Sequence, residues 1–432
     1  MGPLSALDLV EGPVPTVAVL LAIPAGVFLL ARRWRRGALV PLLAALLAGG
    51  TAWAVGQWTV ASGLSTHPLP LPVLAWIAAA ACALILAGAG LRGGRWPRRV
   101  LAPVAATLVL AAASLQVNAY YGFYRTLGDV TGASTADIAP LTNASHEGES
   151  ASSPPLALAR WAPPPDMPEH GRVKSAHIRG MVSGFTARRA YIYLPPAHSV
   201  PRHPVLPVLV LISGQPGSPS DWLTAGRLQP VLDAFAAAHR GLAPITVVVD
   251  ANGTATANTM CMDSRIARAD TYLATDVPAW IAANLDATTD HERWAIGGFS
   301  FGGTCAIQMA TLHPGTYSNA LDFSGEAEPA LGPSRAATIQ ESFAGDTAAF
   351  DARTPLHQLK KRHYHHSWAY FAAGAEDSEF TACMHRVATA ATGAGMTVQA
   401  ESIPAVGHSW RVASAALGPA LDWLSRRLAL AP

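Results

Sequence analysis

Ser300 stands at the centre of Gly298-Phe299-Ser300-Phe301-Gly302, between the apolar run Trp294-Ala295-Ile296 and an Ala-rich, helix-like segment from Gly303 to Leu312. A strand that turns sharply into a helix holds its central residue in a strained backbone conformation, and glycines two positions before and after remove the side chains that would clash there. The hydroxyl is then presented at a helix N-terminus, where amide groups and the helix dipole favour developing negative charge. The chemistry this suits is nucleophilic attack on an acyl carbonyl. The spacing alone recurs by chance; the strand before it and the helix after it give it meaning.

A serine hydroxyl needs a base to accept its proton, and the base needs an orienting acid. For an elbow of this kind the chain order is Ser, then Asp or Glu, then His. One later strand ends in Gly374-Ala375-Glu376-Asp377-Ser378-Glu379, and the next in Pro404-Ala405-Val406-Gly407-His408-Ser409-Trp410. His408 is the expected base. Asp377, in the turn just beyond its strand, is the preferred acid, with Glu376 and Glu379 as alternatives. His366-Ser367-Trp368 repeats the tripeptide around His408 within the cluster His363, His365, His366, but it precedes the acid-bearing strand and belongs at the opposite sheet edge or in an insertion. His313, at the end of the post-elbow helix, reads as a terminal cap. Two oxyanion donors are expected: the amide of Phe301 and one from Ser213-Gly214-Gln215-Pro216-Gly217. Pro216 has no N–H, which leaves Gln215, with Gly214 as the alternative; an ordinary turn is the competing reading.

Strands are expected at Arg189–Leu194, Pro207–Ser213, Ile245–Asp250, Arg293–Gly298, Asn319–Ser324, Ser367–Ala373 and Thr397–Ile403. Helices are expected at Leu228–His239, Ala269–Leu285, Phe301–His313, Phe380–Thr392 and Ser409–Leu428. Continuous apolar strands alternating with helices indicate an α/β domain with a mainly parallel sheet covered on both faces. Sites in such sheets form at the strand carboxyl ends, where the elbow, acid and base loops all lie. The stretch between about Gly325 and His366 is an insertion that could form a lid or substrate wall.

The N-terminal region is different. The chain has 432 residues, 50% of them hydrophobic and only 13% charged, against roughly 25% charged in soluble domains. Apolar runs at about Pro15–Ala31, Leu39–Leu64, Pro72–Leu91 and Val100–Tyr120 each approach the ~20 residues that cross a hydrocarbon core. A cleaved signal peptide would explain one of these runs, not four. Arg32, Arg33, Arg35 and Arg36 follow the first run, and Arg92, Arg95, Arg98 and Arg99 follow the third; the intervening loop, Ser65 to Leu71, has neither Lys nor Arg. The positive-inside bias puts both clusters in the cytoplasm, and the N-terminus and everything after about Tyr121 outside. The expected organisation is a four-helix membrane domain over residues 1–127, a Pro/Ser/Gly-rich linker or arm over 128–170, and a catalytic domain over 171–432.

Cys82 falls inside the third membrane run, while Cys261, Cys305 and Cys383 fall in the outward domain, where disulfides persist. Cys305 lies one turn into the post-elbow helix and Cys261 in a loop that can approach it, so a Cys261–Cys305 bridge competes with two buried thiols. No CxxC or His/Cys pairing suggests zinc, no cofactor is expected, and a net charge of +2 without a basic aromatic patch points away from nucleic acid.

The segment from Trp294 to Ala306, the segment from Thr271 to Trp280 and Gly407-His408-Ser409-Trp410 resemble the esterase D and antigen 85-type mycolyltransferase family. Val117-Asn118-Ala119-Tyr120-Tyr121-Gly122-Phe123-Tyr124 resembles the membrane-exit sequence of its membrane-anchored actinobacterial members. The resemblance implies an α/β-hydrolase fold behind an all-α four-helix transmembrane region. It also implies Ser300 as nucleophile, His408 as base, an acid in the 376–379 loop, and oxyanion positions at Gly214-Gln215 and the Phe301 amide. The mycolyltransferases carry an Asp-Gly-Leu-Arg-like stretch that helps to hold trehalose, where this chain has Ser213-Gly214-Gln215-Pro216. The expected activity is a membrane-anchored serine esterase acting on an acyl-ester or lipid-linked envelope substrate at the bilayer. The alternatives are an acyltransferase that passes the acyl group to an envelope sugar or lipid hydroxyl, and a non-catalytic envelope-binding module. A transporter is disfavoured, because the apolar runs lack the charged residues of a polar path. Oligomeric state is not legible.

Overall fold

Val208-Leu209-Val210-Leu211-Ile212, Ile245-Thr246-Val247-Val248-Val249 and Trp294-Ala295-Ile296-Gly297-Gly298-Phe299 contain no residue that seeks water strongly, and all three are buried along their whole length. In the computed structural model, which describes residues 4–31, 37–91, 96–142, 161–201 and 203–430, they form the centre of an eight-stranded sheet. Its strands are β1 (Arg172–Ala176), β2 (Ala190–Leu194), β3 (Val208–Ile212), β4 (Ile245–Val249), β5 (Trp294–Phe299), β6 (Asn319–Phe323), β7 (Trp368–Gly374) and β8 (Thr397–Ile403). The order is β1-β2-β4-β3-β5-β6-β7-β8. From β4 to β8 every pairing is parallel, and β2 joins β4 antiparallel. This is the α/β-hydrolase fold.

The order in which strands are added reverses at β3: β4 lies on one side of β3 and β5 on the other, so the loops leaving β3 and β5 open a crevice at the carboxyl edge. The helix Phe301–Leu312, almost wholly buried, packs on the centre of the sheet, and the helix Trp410–Leu424 buries Trp410, Leu417, Leu421 and Leu424.

Two features depart from expectation, and a third fills in a stretch to which no elements were assigned. β1 is an additional edge strand, polar in sequence and partly exposed. The expected helix Ala269–Leu285 is three pieces, Ala269–Thr271, a π-turn over Tyr272–Asp276, and Val277–Asn284. Pro278 lacks the N–H that would continue an i→i−4 ladder, and the widened turn accommodates that loss. The 325–366 insertion holds helices at Arg335–Phe343, Thr347–Asp351 and Pro355–Lys361. Ile339 and Phe350 pack there with Met260 and Met262 in a small core of their own.

The chain divides into two compact units, Met1–Ser134 and Thr135–Pro432. In the first, α1 (Pro13–Leu30), α2 (Leu39–Ala61), α3 (Leu71–Leu91) and α4 (Trp96–Tyr121) are each long and apolar enough to cross a membrane. Alanines such as Ala22, Ala44, Ala83, Ala105 and Ala112 are buried between helices, while Leu20, Ile23, Leu46, Trp53 and Val104 point outward. Small residues inside and large apolar ones outside is the arrangement of helices solvated by lipid. Arg32, Arg33, Arg35, Arg36, Arg92 and Arg95 lie outside the described residues, as do Ser152-Ser153-Pro154-Pro155. In the second unit, Trp161 is buried and its indole donates to the Arg240 carbonyl at 2.9 Å.

Candidate active site

Ser300 follows β5 directly and caps the helix Phe301–Leu312 with φ 56° and ψ −118°. A left-handed φ is costly for a residue with a Cβ and persists where surrounding contacts enforce it. Those contacts are visible: the Ser300 amide donates to the Phe323 carbonyl at 2.8 Å, and the Ser300 carbonyl accepts from the Gly303 amide at 2.9 Å. The flanking glycines are sterically obligatory. A Cβ on Gly298 would stand 2.2 Å from the Gly302 carbonyl carbon, and one on Gly302 would stand 2.1 Å from the Ile212 oxygen.

His408, in the loop after β8, places Nε2 2.9 Å from Ser300 Oγ. Its Nδ1 lies 3.3 Å from Asp377 Oδ2, with the two side chains 22% and 13% exposed. Neither of those two atoms has an aligned hydrogen-bond partner, so the contact is an electrostatic pairing with room to tighten. The ring is wedged between Phe380 and Phe299, stacked at centroid distances of 3.9 and 5.2 Å. Trp410 packs on Phe299, and Trp222 meets Trp410 edge-on. Asp377 also caps the helix Ser378–Gly393, its Oδ1 accepting from the Phe380 amide at 3.2 Å. Burial pushes its carboxyl up, but His408 and the amides of Phe380 and Glu379 outweigh that and hold it below its ordinary value. Of the three expected acids, Glu376 and Glu379 are exposed and Asp377 alone reaches the imidazole.

The loop after β3 comes against Ser300, since a Cβ on Gly214 would lie 3.7 Å from the Ser300 Cβ. Gln215 is fastened by its Nε2, which donates to the Thr256 carbonyl at 3.0 Å. Phe301 is the first residue of its helix, where amides have no intrahelical acceptor. The amide of either Gly214 or Gln215 can therefore face that of Phe301 across the space beside Ser300 Oγ.

Two further residues shape this loop and have no sequence signal. Arg188 grips Asp250 through Nε at 3.0 Å and Nη2 at 2.7 Å, and its Nη1 donates to the Gly217 carbonyl at 2.9 Å. The partners lie 62 residues apart in the chain. Under the elbow, Asp322 of β6 is buried and accepts from the Gly325 amide at 2.7 Å; burial pushes its carboxyl up to about 7.

The other candidates fall elsewhere. His363, His365 and His366 precede β7 and lie at the amino edge of the sheet, opposite Ser300. His313 ends the elbow helix and pairs with Asp270. Cys261 and Cys305 form a disulfide, reinforced by the Gln308 carboxamide donating to the Cys261 carbonyl at 3.0 Å. Among the described residues no group of three or more His, Cys, Asp or Glu could hold a metal ion.

A family model described as putative esterase matches residues 186–415. An uncharacterized protein of Corynebacterium glutamicum is 33% identical over 406 residues, spanning 91% of this chain and 90% of that protein. A solved ferulic acid esterase is similar with TM-score 0.52 at 19% identity, over 60% of this chain and 98% of its own. S-Formylglutathione hydrolase from Agrobacterium tumefaciens is similar with TM-score 0.50 at 18% identity, over 60% of this chain and 97% of its own. At such identities the two structures speak for the fold alone.

Proposed function

This chain belongs to the putative esterase family and is a serine hydrolase, and from that premise we propose that it is a membrane-anchored esterase that cleaves acyl esters of envelope lipids outside the cytoplasmic membrane. The observation that carries the reading is Ser300 Oγ at 2.9 Å from His408 Nε2, with the Asp377 carboxylate behind the ring. Ser300 Oγ attacks the acyl carbonyl as its proton passes to His408. The oxyanion takes hydrogen bonds from the Phe301 amide and from Gln215 or Gly214. Asp377 stabilises the imidazolium, which then protonates the departing alcohol, leaving an acyl-enzyme on Ser300. Water, deprotonated by His408, adds to the acyl carbon; collapse returns the carboxylic acid and free Ser300.

Placement within the esterase D and antigen 85-type branch belongs to the same proposal, with water as acceptor, because Ser213-Gly214-Gln215-Pro216 lacks the Asp and Arg of the trehalose-holding stretch. The external setting is supported by the arginine distribution and by the Cys261–Cys305 disulfide. Purified full-length protein is expected to react with a fluorophosphonate and to hydrolyse aryl and long-chain esters. Ser300→Ala and His408→Ala should each lower kcat by ~10³-fold or more. Labelling that persists in Ser300→Ala removes the nucleophile assignment. Product analysis with sugar and lipid alcohols present separates hydrolysis, which gives only free acid, from transfer.

A further inference from the structure

We propose that the first unit contains a binding cleft for the long hydrocarbon chain of a membrane ester lipid, between α3 and α4. A cavity of about 660 Å³ lies there, lined among others by Trp76, Ile77 and Ala80 of α3 and by Leu110, Ala113 and Tyr121 of α4. That volume falls within the roughly 300–1,000 Å³ of small-molecule sites, which are likewise mainly apolar with few polar groups. Ala80 and Ala113 line the cavity with small side chains and are 8% and 4% exposed, so a much larger side chain at either position would take up part of that space.

The cleft is walled by architecture that simple tethering does not require. Beyond α4 the chain turns at Gly122, φ +67°. The Asn118 carboxamide then brackets Tyr124, donating to its carbonyl at 2.7 Å and accepting from its amide at 2.8 Å. The N-terminal segment closes on this turn from the other side. The Leu9 amide donates to the Arg125 carbonyl at 2.7 Å, and the Leu127 amide donates to the Leu7 carbonyl at 3.2 Å. The Arg125 guanidinium pairs with Asp8 and Glu11 at 3.6 and 3.3 Å. Leu9, Phe123, Tyr124 and Val130 of these two segments line the cavity with the helices. These bonds tie together the two segments that border the cavity beyond the helix ends.

The occupant follows from the surroundings. The walls belong to helices that span a membrane by length and composition, so the medium at the cleft is lipid, and an apolar cavity gains nothing from water. Asn118, Tyr121 and Tyr124 gather near the end of α4 that the proposed orientation places outside, with Ser114 one turn deeper. A lipid of the outer leaflet can lay its chain along α3 and α4 with its ester or hydroxyl at that end.

The test uses full-length protein in nanodiscs containing a phosphatidylcholine with a diazirine in one palmitoyl chain, with adducts mapped by peptide mass spectrometry. Adducts at 76–80 and 110–121 should saturate as probe mole fraction rises, whereas those around the outward-facing Leu42 and Leu46 of α2 should rise linearly. Filling the cleft by Ala113→Trp, or separately Ala80→Trp, should lower cleft adducts about tenfold, a loss equivalent to ~1.4 kcal/mol, and leave the α2 adducts unchanged. Linear labelling at both places in the wild-type protein overturns the proposal, as does cleft labelling that both tryptophan variants retain. Since the readout requires no turnover, an inactive Ser300 site would count against the esterase reading and leave this result intact.

Discussion

Ser300 would be an ordinary surface hydroxyl without the steric demands around it. Its left-handed backbone is held by the Phe323 carbonyl and the Gly303 amide, and the tight turn leaves no space for a Cβ at residue 298 or 302, a demand the glycine pair recorded in the sequence. The imidazole was equally legible, because a His in a loop after the last strand can reach the elbow without crossing the sheet. The acid was less so: Glu376, Asp377 and Glu379 share one short loop, and only the direction each side chain takes separates them. Asp377 is the residue that caps the following helix, which turns its carboxylate inward. Asp377→Asn, which keeps the shape and removes the charge, is expected to lower kcat by roughly 10³–10⁴-fold while KM for a small ester changes little; retention of wild-type kcat would exclude its role. The depressed pKa also has a stability consequence. The carboxylate's contribution is complete above the ordinary value of 3.8 and disappears as pH falls through the lowered one. Wild-type protein should therefore lose Tm faster than Asp377→Asn in that acid window.

Among elements, the buried strands were readable because β3 to β7 lie in the parallel part of the sheet, where both faces are covered and the sequences are mainly apolar, whereas β8 is an edge strand with no buried residue. β1 escaped because an edge strand with one partner need not be apolar, and its sequence, Arg172-Val173-Lys174-Ser175-Ala176, carries two charges in five residues. The π-turn at Tyr272–Asp276 escaped because its neighbours have helical propensity. What holds it is distant: the Asp276 carboxylate accepts from the amides of Val182 and Ser183 and from the Ser183 hydroxyl. The disulfide acts at this scale too, joining the loop after β4 to the elbow helix across 44 residues. A loop of that length implies about 4 kcal/mol of chain-entropy stabilisation. The double variant Cys261→Ser/Cys305→Ser should accordingly unfold at lower denaturant by about 2–4 kcal/mol, and an unchanged midpoint would show that the bridge adds nothing.

For the whole molecule, the decisive property is that one chain combines four helices long and apolar enough to cross a membrane with a hydrolase unit. If that unit lies outside the cell, a membrane-impermeant fluorophosphonate should label Ser300 in intact cells as fully as in lysed ones; labelling confined to lysed cells would reverse the orientation. The sequence by itself determined the hydrolase class, the Ser300 and His408 side chains that the fold brings together, and four helices long and apolar enough to cross a membrane, since each depends on a local pattern: glycine spacing, position after a strand, an uninterrupted apolar run. Only the tertiary structure decided which carboxylate meets His408, that Arg188 and Asp250 tie down the loop beside Ser300, that Cys261 and Cys305 are joined, and that α3 and α4 leave a cleft between alanines. Those are properties of side-chain direction and of groups dozens of residues apart, and a linear pattern encodes neither.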